Sequence, residues 1–148
     1  MNRLLRNLFI GGVVMWLGIM AAYLGPVLSR QAGIVTEDAY VKKSAERLMQ
    51  GDWKQARAVI NEGLTHFPRC ANLYFNLGLS YYLSGDYSRA RATFETLITI
   101  DPYYPDAHYL LGRIYQVDGN YPSAKQEFIR ELNVNPGNPR AWKQLQQN

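Results

Sequence analysis

Residues 71–104 read ANLYFNLGLSYYLSGDYSRARATFETLITIDPYY. Tyr74, Leu77, Gly78 and Tyr81 recur three or four residues apart, a spacing that puts side chains on one face of a helix. Gly85 suits the left-handed conformation that ends such a helix, and Asp86 carries the oxygen that caps the next one. Ala90, Phe94 and Leu97 make the apolar face of a second helix. Ala90 is expected to face Gly78, where a larger residue would hold the two helices apart. Pro102 stops the second helix. The segment therefore predicts a closed helical hairpin.

The same punctuation recurs along the chain. Gly51-Asp52-Trp53, Gly85-Asp86-Tyr87 and Gly119-Asn120-Tyr121 stand 34 residues apart, as do Ala56, Ala90 and Ala124, and Pro68, Pro102 and Pro136. Three independent markers holding one period imply a repeat. The third copy carries Leu111, Gly112, Tyr115, Gly119, Ala124, Phe128 and Pro136, with Pro122 in the first turn of its second helix, where a missing N–H costs little. On these residues the chain resembles the tetratricopeptide repeat family, whose unit is a 34-residue helix–turn–helix. The resemblance covers about residues 37–138, with the start of a further helix in 139–148.

The first copy keeps Gly51, Trp53, Ala56, Ile60, Leu64 and Pro68. Its first helix has Lys43, Ser44 and Arg47 where Leu, Gly and Tyr are expected, which fits the solvated flank of a terminal repeat. Glu131 occupies a position the family usually gives to a small residue. Trp142 and Leu145 supply an apolar stripe to the last segment, and its polar KQLQQN ending suits a cap. Seven short helices and no strands are expected after the N-terminal segment.

That N-terminal segment is a different kind of chain. No charge interrupts LFIGGVVMWLGIMAAYLGPVL from Leu8 to Leu28, and 21 helical residues span roughly 32 Å, about a bilayer's hydrocarbon core. A helix buried in so small a soluble domain would rarely be apolar on every side. A cleaved signal peptide would have an apolar run of about 7–15 residues and a small-x-small cleavage site. Here the only passable site is Val27-Leu28-Ser29, so an uncleaved anchor is the expectation. Arg3, Arg6 and the α-amino group precede the run, whereas Arg30 is soon followed by Glu37 and Asp38. This asymmetry favours a cytoplasmic N-terminus and a periplasmic, or equivalently lumenal, C-terminal domain. Gly11, Gly18 and Gly25, with Ala22, fall on one face, as small residues do where a second membrane helix packs closely. Glycine is also simply common in membrane helices.

The fold class read from the sequence is all-α. It comprises an N-terminal transmembrane signal-anchor at 1–30, a linker at 31–36 and a repeat domain at 37–148. The domain divides into repeats 37–70, 71–104 and 105–138 and a capping helix at 139–148. The sixteen Lys and Arg against twelve Asp and Glu give a net charge of +4 and a pI near 9.2, a balance that can mark nucleic-acid binding. Arg3, Arg6 and Arg30 flank the apolar run, leaving thirteen basic and twelve acidic residues beyond it with no basic tract, so no nucleic-acid partner is expected. The single cysteine, Cys70, excludes an intramolecular disulfide and any Cys-cluster metal site.

Catalysis has no visible machinery. No nucleophile elbow, P-loop or dinucleotide fingerprint is present. His66 and His108 lack partners at metal-ligand spacing, and the carboxylates read as solvated helix faces. The expectation is a non-enzyme with no cofactor, no metal and no small-molecule substrate.

Stacked hairpins leave a concave surface lined by the first helix of each unit. In the tetratricopeptide pattern these positions are Val41, Ala45, Leu48 and Met49, then Asn72, Phe75, Asn76, Leu79, Tyr82 and Leu83, then Asp106, Tyr109, Arg113 and Gln116. The set suits a peptide or helix with apolar anchors. It lacks the lysines of the family's chaperone-type carboxylate clamp, which disfavours acidic C-terminal tails. The resemblance implies a membrane-anchored adaptor or assembly factor that holds polypeptides near a membrane complex on the exported side. The alternative is a permanent structural accessory subunit fixed through the glycine face and the domain surface. The competing reading gives these aromatic residues to packing and places the binding surface elsewhere.

Overall fold

The computed structural model describes residues 35–147. Seven α-helices follow one another: α1 (Glu37–Met49), α2 (Trp53–His66), α3 (Ala71–Leu83), α4 (Tyr87–Ile100), α5 (Ala107–Val117), α6 (Tyr121–Val134) and α7 (Pro139–Gln147). No strand occurs among the described residues. None of these helices is long and apolar enough to cross a membrane. The apolar run 8–28 and the proposed packing face Gly11, Gly18, Ala22 and Gly25 lie outside the described residues.

The turns form as their residues dictate. Gly51, Gly85 and Gly119 take φ of 76°, 81° and 74°, the left-handed values that side chains with a Cβ adopt at a cost. Asp86 and Asn120 then cap α4 and α6, accepting from the backbone N–H of Arg89 and Ser123 at 3.2 Å each. Asp52, at the same place in the first hairpin, makes no such bond. Cys70 takes the cap position of α3: its sulfur accepts from Leu73 N–H at 3.4 Å, and its thiol donates to Glu37 at 3.0 Å. Burial and that carboxylate push the thiol pKa up to about 11.

The second and third hairpins each close over a glycine. A Cβ on Gly78 would lie 2.6 Å from the Phe94 ring and one on Gly112 would lie 2.5 Å from Phe128, both rings being fully buried. The partner nearest Gly78 is thus Phe94 rather than Ala90, because the ring reaches across the hairpin to fill the gap. Two apolar clusters result. Tyr40, Leu48, Ile60 and Leu73 anchor the first, and Phe94, Leu97, Leu111 and Ile114 the second.

Neighbouring hairpins are fastened by a repeated cation. Arg57 on α2 lies 5.1 Å over the Tyr81 ring and reaches Ser84, whereas Arg91 on α4 lies 5.9 Å over Tyr115 and pairs with Asp118 at 3.1 Å. The two arginines and the two tyrosines each sit one period apart, so the same bolt holds successive joints.

The expected cap packs, though not by its expected stripe. Ala141 is fully buried, whereas Trp142 remains 52% exposed with its indole N–H donating to Pro136 O at 2.9 Å. Glu131 is what anchors α7. It is fully buried and accepts from Asp106 N–H at 3.0 Å, Tyr109 N–H at 3.3 Å and Asn138 Nδ2 at 2.9 Å. Asn138 in turn caps α7, its Oδ1 accepting from Arg140 N–H at 3.0 Å and Ala141 N–H at 3.3 Å. The expectation that all carboxylates are solvated fails here, because Glu131 faces the orphan N–H groups of the α5 terminus.

Candidate protein-binding groove

Hydrogen bonds link α1 to α3 and α5 to α7. Asn76 of α3 donates to Val41 O at 3.3 Å and Ser44 Oγ at 2.8 Å on α1, and Gln116 of α5 donates to Gln144 of α7 at 2.9 Å. The outward positions of the hairpins' first helices form the predicted surface, and the structure sorts them into three groups.

Two predicted groove residues are spent on the fold. Leu48 belongs to the first apolar core, with Ile60 of α2 and Leu73 of α3. Asn76 is buried, and its amide is committed to α1. Neither presents a free group to a ligand.

A second group stands half-buried. Val41, Phe75, Leu79, Tyr82, Tyr109 and Arg113 are neither sealed in the core nor fully solvated. Phe75 packs 5.1 Å from Tyr104 and 6.1 Å from Phe94, and Tyr82 meets Tyr87 edge-on at 5.6 Å. Tyr109 rests against Phe128 at 5.9 Å, with the Arg140 guanidinium 4.8 Å over its ring. Each aromatic therefore uses part of its surface for packing and leaves the rest available. Asn72 is exposed and accepts from the Tyr104 hydroxyl at 2.8 Å. Tyr104, which the sequence pattern did not single out, thereby joins the surface. Burial raises its pKa, so its hydroxyl remains a donor.

The third group is the rim. Met49 is 89% exposed, and Leu83 and Val117 stand one and two periods further on, also exposed. Ala45 and Gln116 lie between rim and floor.

The charges are distributed unevenly. Asp106, in the left-handed conformation at φ 65°, is held by Arg140 Nη2 at 2.6 Å and by Asn138 at 2.8 Å. Arg113 Nε is buried with no hydrogen-bond partner. Among the described residues no carboxylate lies within ion-pair distance of Arg113.

Elsewhere, His108, which has no partner at metal-ligand spacing in the sequence, gains an acidic neighbour in the fold. It lies buried with Nδ1 2.7 Å from Glu127 Oε2, and Glu127 also pairs with Arg130. The two partners are 19 residues apart on facing helices, a proximity that ligand-spacing arguments do not reach. With Glu95, Ile98, Leu111 and Tyr115 these three line a concavity of about 260 Å³ between α4, α5 and α6. Among the described residues no three His, Cys, Asp or Glu side chains converge as a metal site.

Comparison with known proteins places this architecture. Two profiles described as tetratricopeptide repeat match, one over residues 46–105 and one over 81–148. The described fold is similar to the first such domain of Spaghetti (RPAP3), solved bound to the HSP90 peptide SRMEEVD, with 19% identity and a TM-score of 0.70 over 75% of this chain and 88% of that one. It is similar to the Yersinia enterocolitica type III secretion translocator chaperone SycD, with 14% identity and a TM-score of 0.71 over 76% and 90% of the two chains. MamA shows 20% identity and a TM-score of 0.69 over 78% of this chain and 67% of that one. At such identities the likeness speaks for the fold alone. No curated protein matches the chain in sequence. The repeat period, the glycine turns, the hairpin packing and both profiles agree that the chain belongs to the tetratricopeptide repeat family.

Proposed function

We propose that this protein is a membrane-tethered adaptor or assembly factor whose repeat domain binds a polypeptide segment along the surface of α1, α3 and α5. The observation that carries this reading is the half-buried row Val41, Phe75, Leu79, Tyr82 and Tyr109, aromatic and apolar side chains that the core only partly consumes. Such faces recognise apolar anchors of peptides or helices. Solved neighbours of the same fold include one bound to a peptide and one described as a chaperone, which is consistent with a polypeptide ligand. Catalysis is not part of the proposal. The tether rests on the uncharged run 8–28, and export of the domain rests on the arginines before it.

The test is a Leu79→Lys/Tyr82→Ala variant in the full chain, checked for an unchanged helical spectrum and thermal transition. It is expected to lose polypeptide partners that the parent retains through mild detergent extraction. A folded variant that keeps every partner refutes the groove. The glycine face at 11, 18 and 25 favours a second reading, in which the protein is a permanent accessory subunit of a membrane complex. Stoichiometry separates the two. One copy per complex through purification indicates a subunit, and substoichiometric recovery indicates a factor.

A further inference from the structure

Arg113 is the feature of the groove that folding does not explain. Its Nε is buried yet has no hydrogen-bond partner, and a buried donor left unpaired is costly. Arg140, by contrast, is neutralised by Asp106 at 2.6 Å and lies over Tyr109. Arg113 is therefore an uncompensated cation in a half-buried apolar setting, where a guanidinium gains most from a carboxylate. On α5 it has Tyr109 one turn before and Val117 one turn after, and Leu79 occupies the equivalent register of α3. Apolar surface thus flanks the charge on both sides.

Resting on the groove reading above, we infer that the α3–α5 part of the groove selects an apolar polypeptide segment carrying an internal Asp or Glu, whose carboxylate pairs with the Arg113 guanidinium. The acid belongs to a side chain within the segment rather than to a chain end. The anchors lie on either side of the charge, and Arg113 is the one cation among the described groove positions, so no second cation stands ready to clamp a terminal carboxylate. The arrangement sets specificity through one charge: a ligand with the wrong group there leaves the buried donor unpaired.

The experiment is selection of twelve-residue random peptides on phage against the full chain in detergent micelles, followed by fluorescence anisotropy with synthetic peptides. Each selected peptide is compared with its Glu→Gln or Asp→Asn form, and with acid and amide C-termini. The acidic forms are expected to bind roughly tenfold or more tightly, the size of one charge-assisted hydrogen bond to a buried partner. C-terminal amidation should leave affinity unchanged. Arg113→Gln should abolish the preference while retaining binding of the neutral forms, and Arg113→Lys should restore part of it. Peptides that lose binding in Leu79→Lys but show no acidic preference overturn this inference and leave the groove reading standing. A preference that survives Arg113→Gln, or that disappears on amidation, likewise overturns it. No peptide enriched at all overturns the groove reading and this inference together.

Discussion

Replacing Glu131 with alanine should damage the domain far beyond what an ordinary helix-surface glutamate would. A solvated glutamate changed to alanine typically moves stability by about 0.5 kcal/mol or less. Glu131 is fully buried and receives hydrogen bonds from Asp106 N–H, Tyr109 N–H and Asn138 Nδ2. Each donor stranded away from water costs about 1–3 kcal/mol. A carboxylate at a helix N-terminus adds ~0.3–1 kcal/mol, here at α5. If water reaches the most exposed of the three donors, the expected loss for Glu131→Ala is about 3–5 kcal/mol. Glu131→Gln retains an acceptor for Asp106 and Asn138 but turns an NH₂ group toward the Tyr109 N–H, so a smaller loss of roughly 1–2 kcal/mol is expected. Urea unfolding followed by circular dichroism gives the total. Amide hydrogen exchange resolves where it falls, and the loss should concentrate in the first turn of α5 and in α7. A cost below about 1 kcal/mol for Glu131→Ala, or unchanged protection of α7, would show that the buried network does not hold the cap.

Three further outcomes follow from the same geometry. Arg113→Met removes an unpaired buried donor and should leave stability unchanged or raise it by up to about 1 kcal/mol in thermal unfolding, whereas a structural role for Arg113 requires a clear loss. Gly78→Ala gains helix propensity of ~1 kcal/mol but drives a methyl against the buried Phe94 ring, so a net loss of roughly 1–2 kcal/mol is expected; a stabilised variant would mean the ring moves freely. The Cys70 thiol has an ordinary pKa of 9.0 that burial pushes up to about 11 in the fold, so between these values only the unfolded chain sheds its proton and stability falls as pH rises. Wild type should therefore lose stability relative to Cys70→Ser across that window, and parallel pH profiles of the two would contradict the burial of the thiol.

Much of the architecture is legible in the sequence because it rests on local rules. The 34-residue period, the glycines at 51, 85 and 119 and the capping Asp86 and Asn120 each act within a few residues of themselves. The groove is less legible. Leu48 and Asn76 occupy outward register positions, yet the approach of α1 to α3 turns one into core and commits the other to Val41 and Ser44. Helix phase gives direction but not the distance to the neighbouring helix. Glu131 and Glu127 were missed for the same reason, since their partners lie 19 or more residues away on other helices, apart from Arg130 and Asn138. One signal was present. Glu131 stands one period after Leu97 and two after Gly63, both buried, so an acid in that register implied a buried acceptor with donors around it.

The claim that matters most is that the surface of α1, α3 and α5 holds a polypeptide. Site-specific photocrosslinking in native membranes tests it directly, with p-benzoylphenylalanine at position 79 in the groove and, separately, at exposed position 96 on α4. A discrete polypeptide adduct is expected from position 79 and none from position 96. Adducts from position 96 alone would contradict that claim.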